Sequence, residues 1–308
     1  MTAQDTTMLG IDWGTSNRRS YVLDARGDLL RQHDDDAGIL NVNGDFAGSL
    51  RELLQTLGLQ RANIVMSGMV GSRNGWREAP YLSVDRPLTA LHENLMAIDT
   101  GIDGVRCRVA PGYKYIDSNG IPDVMRGEEA QLLGALSLSG GEGAGDGGWY
   151  LLPGTHSKWA RVEQGRIMEF LTFMTGEFYA LFSRHGTLSK VISGKDESHP
   201  DAFAAGVRAA GQGSFPHTAF GCRALVVTDM MPPEHTASYL SGLLIGTEIH
   251  DILQRTKSVP GMPVQVVGSP GLSARYHNAL ELLGIPSRAW QPDKVYLAAL
   301  KALFNLPR

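Results

Sequence analysis

Cysteine is nearly missing: Cys107 and Cys222 are the two in 308 residues. They stand far apart, outside any CxxC and without His at metal-ligand spacing, which argues against a disulfide framework or a zinc site and predicts two core thiols. No run approaches the roughly 20 apolar residues that span a bilayer, and the start MTAQDTTMLG lacks the basic-then-apolar order of a secretory signal, so a cytoplasmic setting is expected. Basic excess is absent as well. With 28 Lys and Arg against 32 Asp and Glu the net charge is -4, and neither nucleic acid nor an anionic membrane is an expected partner. Also missing are GxxxxGK[ST], the HRD and DFG of protein kinases, HExxH and GxSxG, and with them the support for P-loop, protein-kinase, zinc-protease and α/β-hydrolase readings. What remains is a chain 43% hydrophobic and 19% charged, long enough for two modest domains and suited to a small-molecule substrate.

Against that background the chain states one phrase twice. MLGIDWGTSNRRSYVLDARGDLL, Met8–Leu30, and WYLLPGTHSKWARVEQGRIMEF, Trp149–Phe170, share an order: apolar run, Gly-Thr with small polar residues, second run, Gly turn, third run. Apolar, β-branched and aromatic runs between turn signals predict a three-strand meander in each, hence two related lobes, 1–140 and 149–308. ANIVMSG and RCRVAPG predict further strands in the first lobe, and GEEAQLLGALSL a helix. In the second, GEFYALFSRH, DAFAAGVRAAG, ASYLSGLLIGTEIHDILQR and YHNALELLG read as helices. VQVVGS, Val264–Ser269, reads as a strand entering the Gly-rich turn GSPGLS, where an α/β layer usually takes its ligand. Between the lobes SGGEGAGDGG contains GxGxxG at Gly143, Gly145 and Gly148. It follows a helix and precedes a strand, the reverse of the dinucleotide fingerprint, so a flexible linker is expected. Asp34–Asp36 is read as a solvated strand end.

A doubled Gly-Thr hairpin suits polyphosphate. Gly14 lets backbone approach a ligand, and the N–H groups and hydroxyls of Thr15, Ser16 and Asn17 can form an anion-binding nest. Asp12, ending the strand, can hold a hydrated magnesium ion. Gly154, Thr155, His156 and Ser157 offer the same from the second copy, with Lys158 adding a cation. Either hairpin alone is equally well a plain Gly-containing turn; two in order, with an acidic helix start between and GSPGLS after, favour the ligand.

That order, DWGTSN, GEEAQLLG, PGTHSKW and VVGSPGLS, resembles the acetate and sugar kinase/Hsc70/actin superfamily, with its two phosphate motifs, catalytic-helix start and adenosine motif. Within it ILNV, SGMVGSRNGWREAPY, PDVMRGEEAQLLGAL, LPGTHSKW, TFMTGE and SYLSGLLIGTE are similar to the 2-dehydro-3-deoxygalactonokinase family. The resemblance implies an α/β chain of two ribonuclease H-like domains in the actin-like ATPase (sugar kinase) fold, with a nucleotide cleft between them. It also implies ATP and Mg2+ as cofactors and a reaction in galactonate catabolism. There the ATP γ-phosphate passes to the 6-hydroxyl of a 2-keto-3-deoxy sugar acid. A phosphohydrolase and a nucleotide-dependent switch on the same fold are the alternatives, and a homo-oligomer is left open.

Sugar kinases of this superfamily often carry an Asp at the start of the helix preceding the second phosphate motif, and here Glu128 stands in that slot. Asp123 and Glu129 are rivals, and acidic residues in a first turn also complement the helix dipole. A sugar acid needs a cation, hydroxyl partners and often an aromatic wall. The loop Ser67–Tyr81 offers Arg73 for the carboxylate, Asn74 or Glu78 for the hydroxyls and Trp76 for the wall, unless Trp76 simply packs inward. Arg126 can pair with the acids or take the substrate carboxylate. Gly268, Ser269 and Gly271 would leave room for adenosine; read blandly they form a turn whose helix is capped by Ser273.

Overall fold

The computed structural model describes residues 7–139, 147–192, 198–256 and 263–306. The Gly140–Asp146 part of the expected linker lies outside them. The chain divides into two compact units: Met1–Gly147 with Arg161–Phe170 and Pro292–Arg308, and Gly148–Ala160 with Leu171–Gln291.

In the first unit β1 (Thr7–Trp13), β2 (Arg18–Leu23) and β3 (Leu29–Asp35) form the expected antiparallel meander. Helix α1 (Phe46–Leu57) follows, then β4 (Ala62–Ser67), which pairs parallel with β1, and β5 (Tyr81–Ser83). β6 (Met96–Ile98), β7 (Val105–Val109), β8 (Gly112–Ile116), β9 (Pro122–Met125) and α2 (Glu128–Ser139) complete the N-terminal stretch. The main sheet runs β3-β2-β1-β4-β7-β6, and β5, β8 and β9 make a small separate sheet.

Helix α1 is local chemistry throughout. Asp45 accepts from the Gly48 N–H at 2.8 Å, Gly58 ends the helix in the left-handed region at φ 66°, and Phe46, Leu50, Leu53, Leu54 and Leu57 form one apolar face. That face packs with Leu9, Ile11, Trp13, Ile64 and Met66 of the sheet into one core. Asp35 is not a solvated strand end. It takes Nε and Nη2 of Arg18, 3% exposed, whose Nη1 binds Ser49 at the start of α1. A buried guanidinium this close to a carboxylate must be paired, and Asp35 is its partner.

The second meander is β10 (Gly148–Leu152), β11 (Ser157–Glu163) and β12 (Arg166–Phe173), followed by α3 (Thr175–Arg184), α4 (Pro200–Ala210), α5 (Phe215–Val227) and α6 (Thr236–Thr256). Then come β13 (Val264–Val267), α7 (Pro270–Leu282), β14 (Ser287–Trp290) and α8 (Pro292–Leu303). The second sheet runs β12-β11-β10-β13-β14. Taken in chain order this is 3-2-1-4-5, the order in which β3, β2, β1, β4 and β7 lie in the first, so both sheets show the ribonuclease H-like pattern. Helices α4 and α6 touch backbone to backbone, because a Cβ on Gly206 would collide with the Tyr239 carbonyl and one on Gly242 with that of Phe203. Leu151, Trp159, Val264 and Val266 bury against Ile245, Ile249 and Tyr276.

Helix α8 differs from the expectation that everything after residue 149 forms the second lobe, since from Pro292 onward the chain groups with the first unit. Packing supplies the reason. Leu300 occupies the space that a side chain at Gly10 of β1 would need, and the Val295 carbonyl lies against Gly134 of α2. Tyr296 is hydrogen-bonded to Ser67 at 2.7 Å.

Candidate active site

The predicted residues fall into two groups, one in each unit. In the first, the turn after β1 closes with the Gly14 N–H donating to the Asn17 carbonyl at 3.0 Å, leaving Thr15, Ser16 and Asn17 exposed. A second segment braces it. Ile39 N–H donates to the Gly14 carbonyl at 3.0 Å, Leu40 N–H to Thr15 at 3.2 Å and Gly38 N–H to Ser16 at 3.3 Å. Gly38 is required here, since a Cβ would collide with the Thr15 and Ser16 backbone.

Asp12 and Glu128, distant in sequence, converge through glycine contacts. A Cβ on Gly68 would lie 3.2 Å from Asp12 Oδ1, and one on Gly127, in the left-handed region at φ 108°, would lie 3.2 Å from Gly68 Cα. Burial pushes Asp12 up to about 6; Arg19, opposite it in the β1–β2 register, pulls down, and Glu128 pushes up. Glu128 Oε2 accepts the Arg126 N–H at 3.0 Å, while both oxygens of Glu129 take the Gly127 N–H at 2.9 and 2.7 Å. Glu129 is 0% exposed, and burial, seconded by Glu128, raises it to about 8. It is a buried support, whereas Glu128 is half-buried. Asp123 stands on β9 opposite Tyr115, its Oδ1 accepting from the Val124 N–H at 2.7 Å.

The loop after β4 separates its candidates. Arg73, Asn74 and Glu78 are exposed. Trp76 is half-buried, stacked on Phe46 with centroids 6.1 Å apart and edge-on to Trp13 at 6.4 Å, so most of it serves the core. Arg126 is 8% exposed, with its Nη2 donating to the Ala79 carbonyl at 2.7 Å and its guanidinium 4.3 Å over the Tyr81 ring. Its Nε and Nη1 meet no hydrogen-bond partner among the described residues. A buried cation with unpaired donors is costly unless something else accepts from it.

In the second unit Gly154, Thr155 and His156 form the β10–β11 turn, and Ser157 and Lys158, the latter 5% exposed, begin β11. The TFMTGE segment is fitted to that turn. Glu177 N–H donates to the Thr155 carbonyl at 3.0 Å, the Glu177 carboxylate meets His156 Nε2 at 2.6 Å, and a Cβ on Gly176 would collide with the Gly154 carbonyl. Gly268 sits against Pro153, 3.1 Å from the site of a Cβ. Helix α7 begins at Pro270 with Ser269 as its N-cap position, so Ser269 and not Ser273 occupies the cap; Ser273 N–H donates to the Ser269 carbonyl at 2.8 Å. Ser273 Oγ, buried beside Gly268, has no partner among the described residues. Gly271 faces open space. In the same unit a cavity of about 390 Å³ lies among α3, α4, α6 and α7, with Tyr179, Asp201, Ser241, Arg275 and Asn278 in its wall.

Sequence reasoning missed Arg19, Glu177 and Glu248. Arg19 was findable from hairpin register, since a turn of Gly14–Asn17 places it across from Asp12. Glu248, 1% exposed on α6, was marked by its position inside the apolar stretch SYLSGLLIGTE.

Comparison with known proteins gives consistent matches. Residues 12–303 match the family described as 2-keto-3-deoxy-galactonokinase. The chain is 32% identical to the 2-dehydro-3-deoxygalactonokinase of Escherichia coli (strain K12) over 298 residues, 96% of each chain. It is 34% identical to "Probable 2-dehydro-3-deoxygalactonokinase DgoK1" of Rhizobium meliloti (strain 1021), over 95% of this chain and 94% of that one. A crystal structure described as "a putative 2-dehydro-3-deoxygalactonokinase protein from Sinorhizobium meliloti" aligns with a TM-score of 0.85 at 32% identity, covering 97% and 96% of the two chains.

Proposed function

The chain belongs to the 2-keto-3-deoxy-galactonokinase family, and on that premise we propose that it transfers the γ-phosphate of ATP to the 6-hydroxyl of 2-dehydro-3-deoxy-D-galactonate, with Glu128 as the proton acceptor. The observation carrying this assignment is the convergence of Asp12 and Glu128 across Gly68 and Gly127 at the open end of β1. Phosphoryl transfer asks mainly for positioning and charge neutralisation, plus one carboxylate to orient the attacking hydroxyl. Glu128, its orientation set by the Arg126 N–H, answers that need, while buried Glu129 fixes the Gly127 backbone beside it. Glu128 is preferred here to Asp123 because its charge acts on Asp12.

Exposed Thr15, Ser16 and Asn17, through backbone N–H groups and the hydroxyls of Thr15 and Ser16, are proposed to hold phosphate oxygens in the first unit, and Gly154, Thr155, His156 and Lys158 to do so in the second, where Ser157, 0% exposed, gives its hydroxyl to Glu248 instead. Gly268, Ser269 and Gly271 are assigned to the adenosine, and the neighbouring α3–α4–α6–α7 cavity has the volume for a base. Arg126, with two unpaired buried nitrogens, suits the substrate carboxylate better than exposed Arg73, leaving Arg73, Asn74 and Glu78 for its hydroxyls.

Among the described residues no group of three or more His, Cys, Asp or Glu side chains could hold a metal ion. Magnesium, which dehydrates reluctantly, fits Asp12 as one carboxylate contact with water and phosphate oxygens as the rest, and it would neutralise phosphate charge there. Among the described residues no helix is long and apolar enough to cross a membrane. A cytoplasmic enzyme of sugar-acid catabolism accommodates all of this, and no observation favours the hydrolase or switch.

The test is ATP consumption with magnesium and a panel of 2-keto-3-deoxy sugar acids, with a no-sugar control. Glu128→Gln should lower kcat by roughly 10²–10⁴-fold with ATP affinity retained. Unchanged kcat in that variant removes Glu128 as the base, and a wild type inert to every sugar acid removes the substrate.

A further inference from the structure

One carboxylate gathers the elements assigned to the nucleotide. Glu248 Oε1 accepts from Ser157 Oγ at 2.7 Å and Trp159 Nε1 at 2.6 Å; Oε2 accepts from Tyr276 Oη at 2.8 Å and from Thr175 Oγ1. Ser157 and Trp159 follow the second phosphate turn. Thr175 opens α3, whose Gly176 and Glu177 are fitted to that turn. Tyr276 lies on α7, which leads out of the Gly268–Gly271 segment. All four donors and Glu248 are buried, Thr175 being the most exposed at 9%.

Resting on the proposed nucleotide role of this unit, we infer that Glu248 is a positioning residue that locks the second phosphate turn and the adenosine segment into one geometry for ATP. A carboxylate is expensive to bury, and here desolvation is answered by four hydrogen bonds from described residues, two to each oxygen. An apolar residue there would leave four buried donors unsatisfied, so the carboxylate both satisfies them and sets their direction, fixing four donors from three elements at once. The charge itself does not help, because a buried anion near a polyphosphate repels it. Positioning and electrostatics therefore predict opposite outcomes on neutralisation.

Glu248→Gln keeps the volume and removes the charge. Trp159 Nε1 can only donate, so the Gln oxygen must face Ser157 and Trp159. Its amide NH₂ then faces Thr175 and Tyr276, which must rotate to accept. The phosphate turn stays tethered while the link to α7 and Thr175 loosens. Tyr276→Phe removes one donor and leaves the carboxylate in place.

The experiment measures the ATP Kd directly, then KM for ATP and for sugar acid separately, in wild type, Glu248→Gln and Tyr276→Phe. Expected are an ATP Kd and KM raised about tenfold in Glu248→Gln and several-fold in Tyr276→Phe, with sugar-acid KM within about twofold. An unchanged ATP Kd in both variants, with only thermal stability lowered, overturns the inference, and so does tighter ATP binding in Glu248→Gln. Because the Kd needs no sugar, a wrong substrate assignment leaves this test intact; a wild type that binds no ATP ends both readings.

Discussion

Replacing Glu129 with Gln should change how the protein's stability depends on pH. The side chain is 0% exposed, and burial together with Glu128 holds it at about 8 rather than 4.5, so it carries its proton at neutral pH in the folded state and loses it in the unfolded one. Below 4.5 both states are protonated and the full contribution is present. As pH rises, the unfolded chain releases its proton first, the folded state binds more protons, and stability falls until the folded group ionises near 8. The slope is about 1.4 kcal/mol per pH unit, and the total is on the order of 5 kcal/mol across that window. Glu129→Gln abolishes the titration while keeping the volume and an oxygen for the Gly127 N–H. Urea unfolding at about pH 6 and about pH 8 should show the variant gaining roughly 2–3 kcal/mol on the wild type between the two. Parallel curves for the two proteins would refute the reasoning, for they would mean that Glu129 ionises in the folded state as it does in an open chain.

Asp12, raised to about 6 and required as an anion, should give kcat/KM an acid limb that rises through that pH; a limb at an ordinary carboxylate value would detach Asp12 from the cation. Gly38→Ala must push against the Thr15 and Ser16 backbone, so the first phosphate turn should shift and the KM for ATP rise about tenfold or more, read by steady-state kinetics. An unchanged KM would show that this turn tolerates displacement and does not hold phosphate.

The paired meanders and their Gly-Thr turns were legible because they are local: alternating strands, a turn, a strand again. Helix α2 was legible for the same reason. Helices α1, α5 and α8 were passed over, although Asp45 and Gly58 bracket α1 as cap signals do. What a linear reading could not supply was pairing at a distance. Asp35 looked solvated until Arg18 was found beside it, and Trp76 looked like a wall for substrate until Phe46 was found stacked on it. Glu248 meets its four donors only once α6, α7 and the second meander are folded together. In the first unit Asp12, Gly14–Asn17 and Arg126 could be named from residue types and Glu128 from the family resemblance, but which acid stands beside Asp12 required the Gly68–Gly127 contact.

The return of α8 to the first unit bears on how the chain is made. A nascent chain emerges N-terminus first, and a lobe that ended near residue 140 could finish folding while the rest was still being translated. This one cannot. Leu300 is the side chain that fills the space over Gly10, and Tyr296 is the one that meets Ser67 on β4, the strand paired with β1 where Asp12 stands. Until Tyr296 and Leu300 of α8 leave the ribosome, the lobe proposed to carry the catalytic carboxylates has an unfilled core. Premature release would then yield a chain holding every predicted catalytic residue but lacking the packing beneath them, a substrate for proteases rather than a partly active kinase.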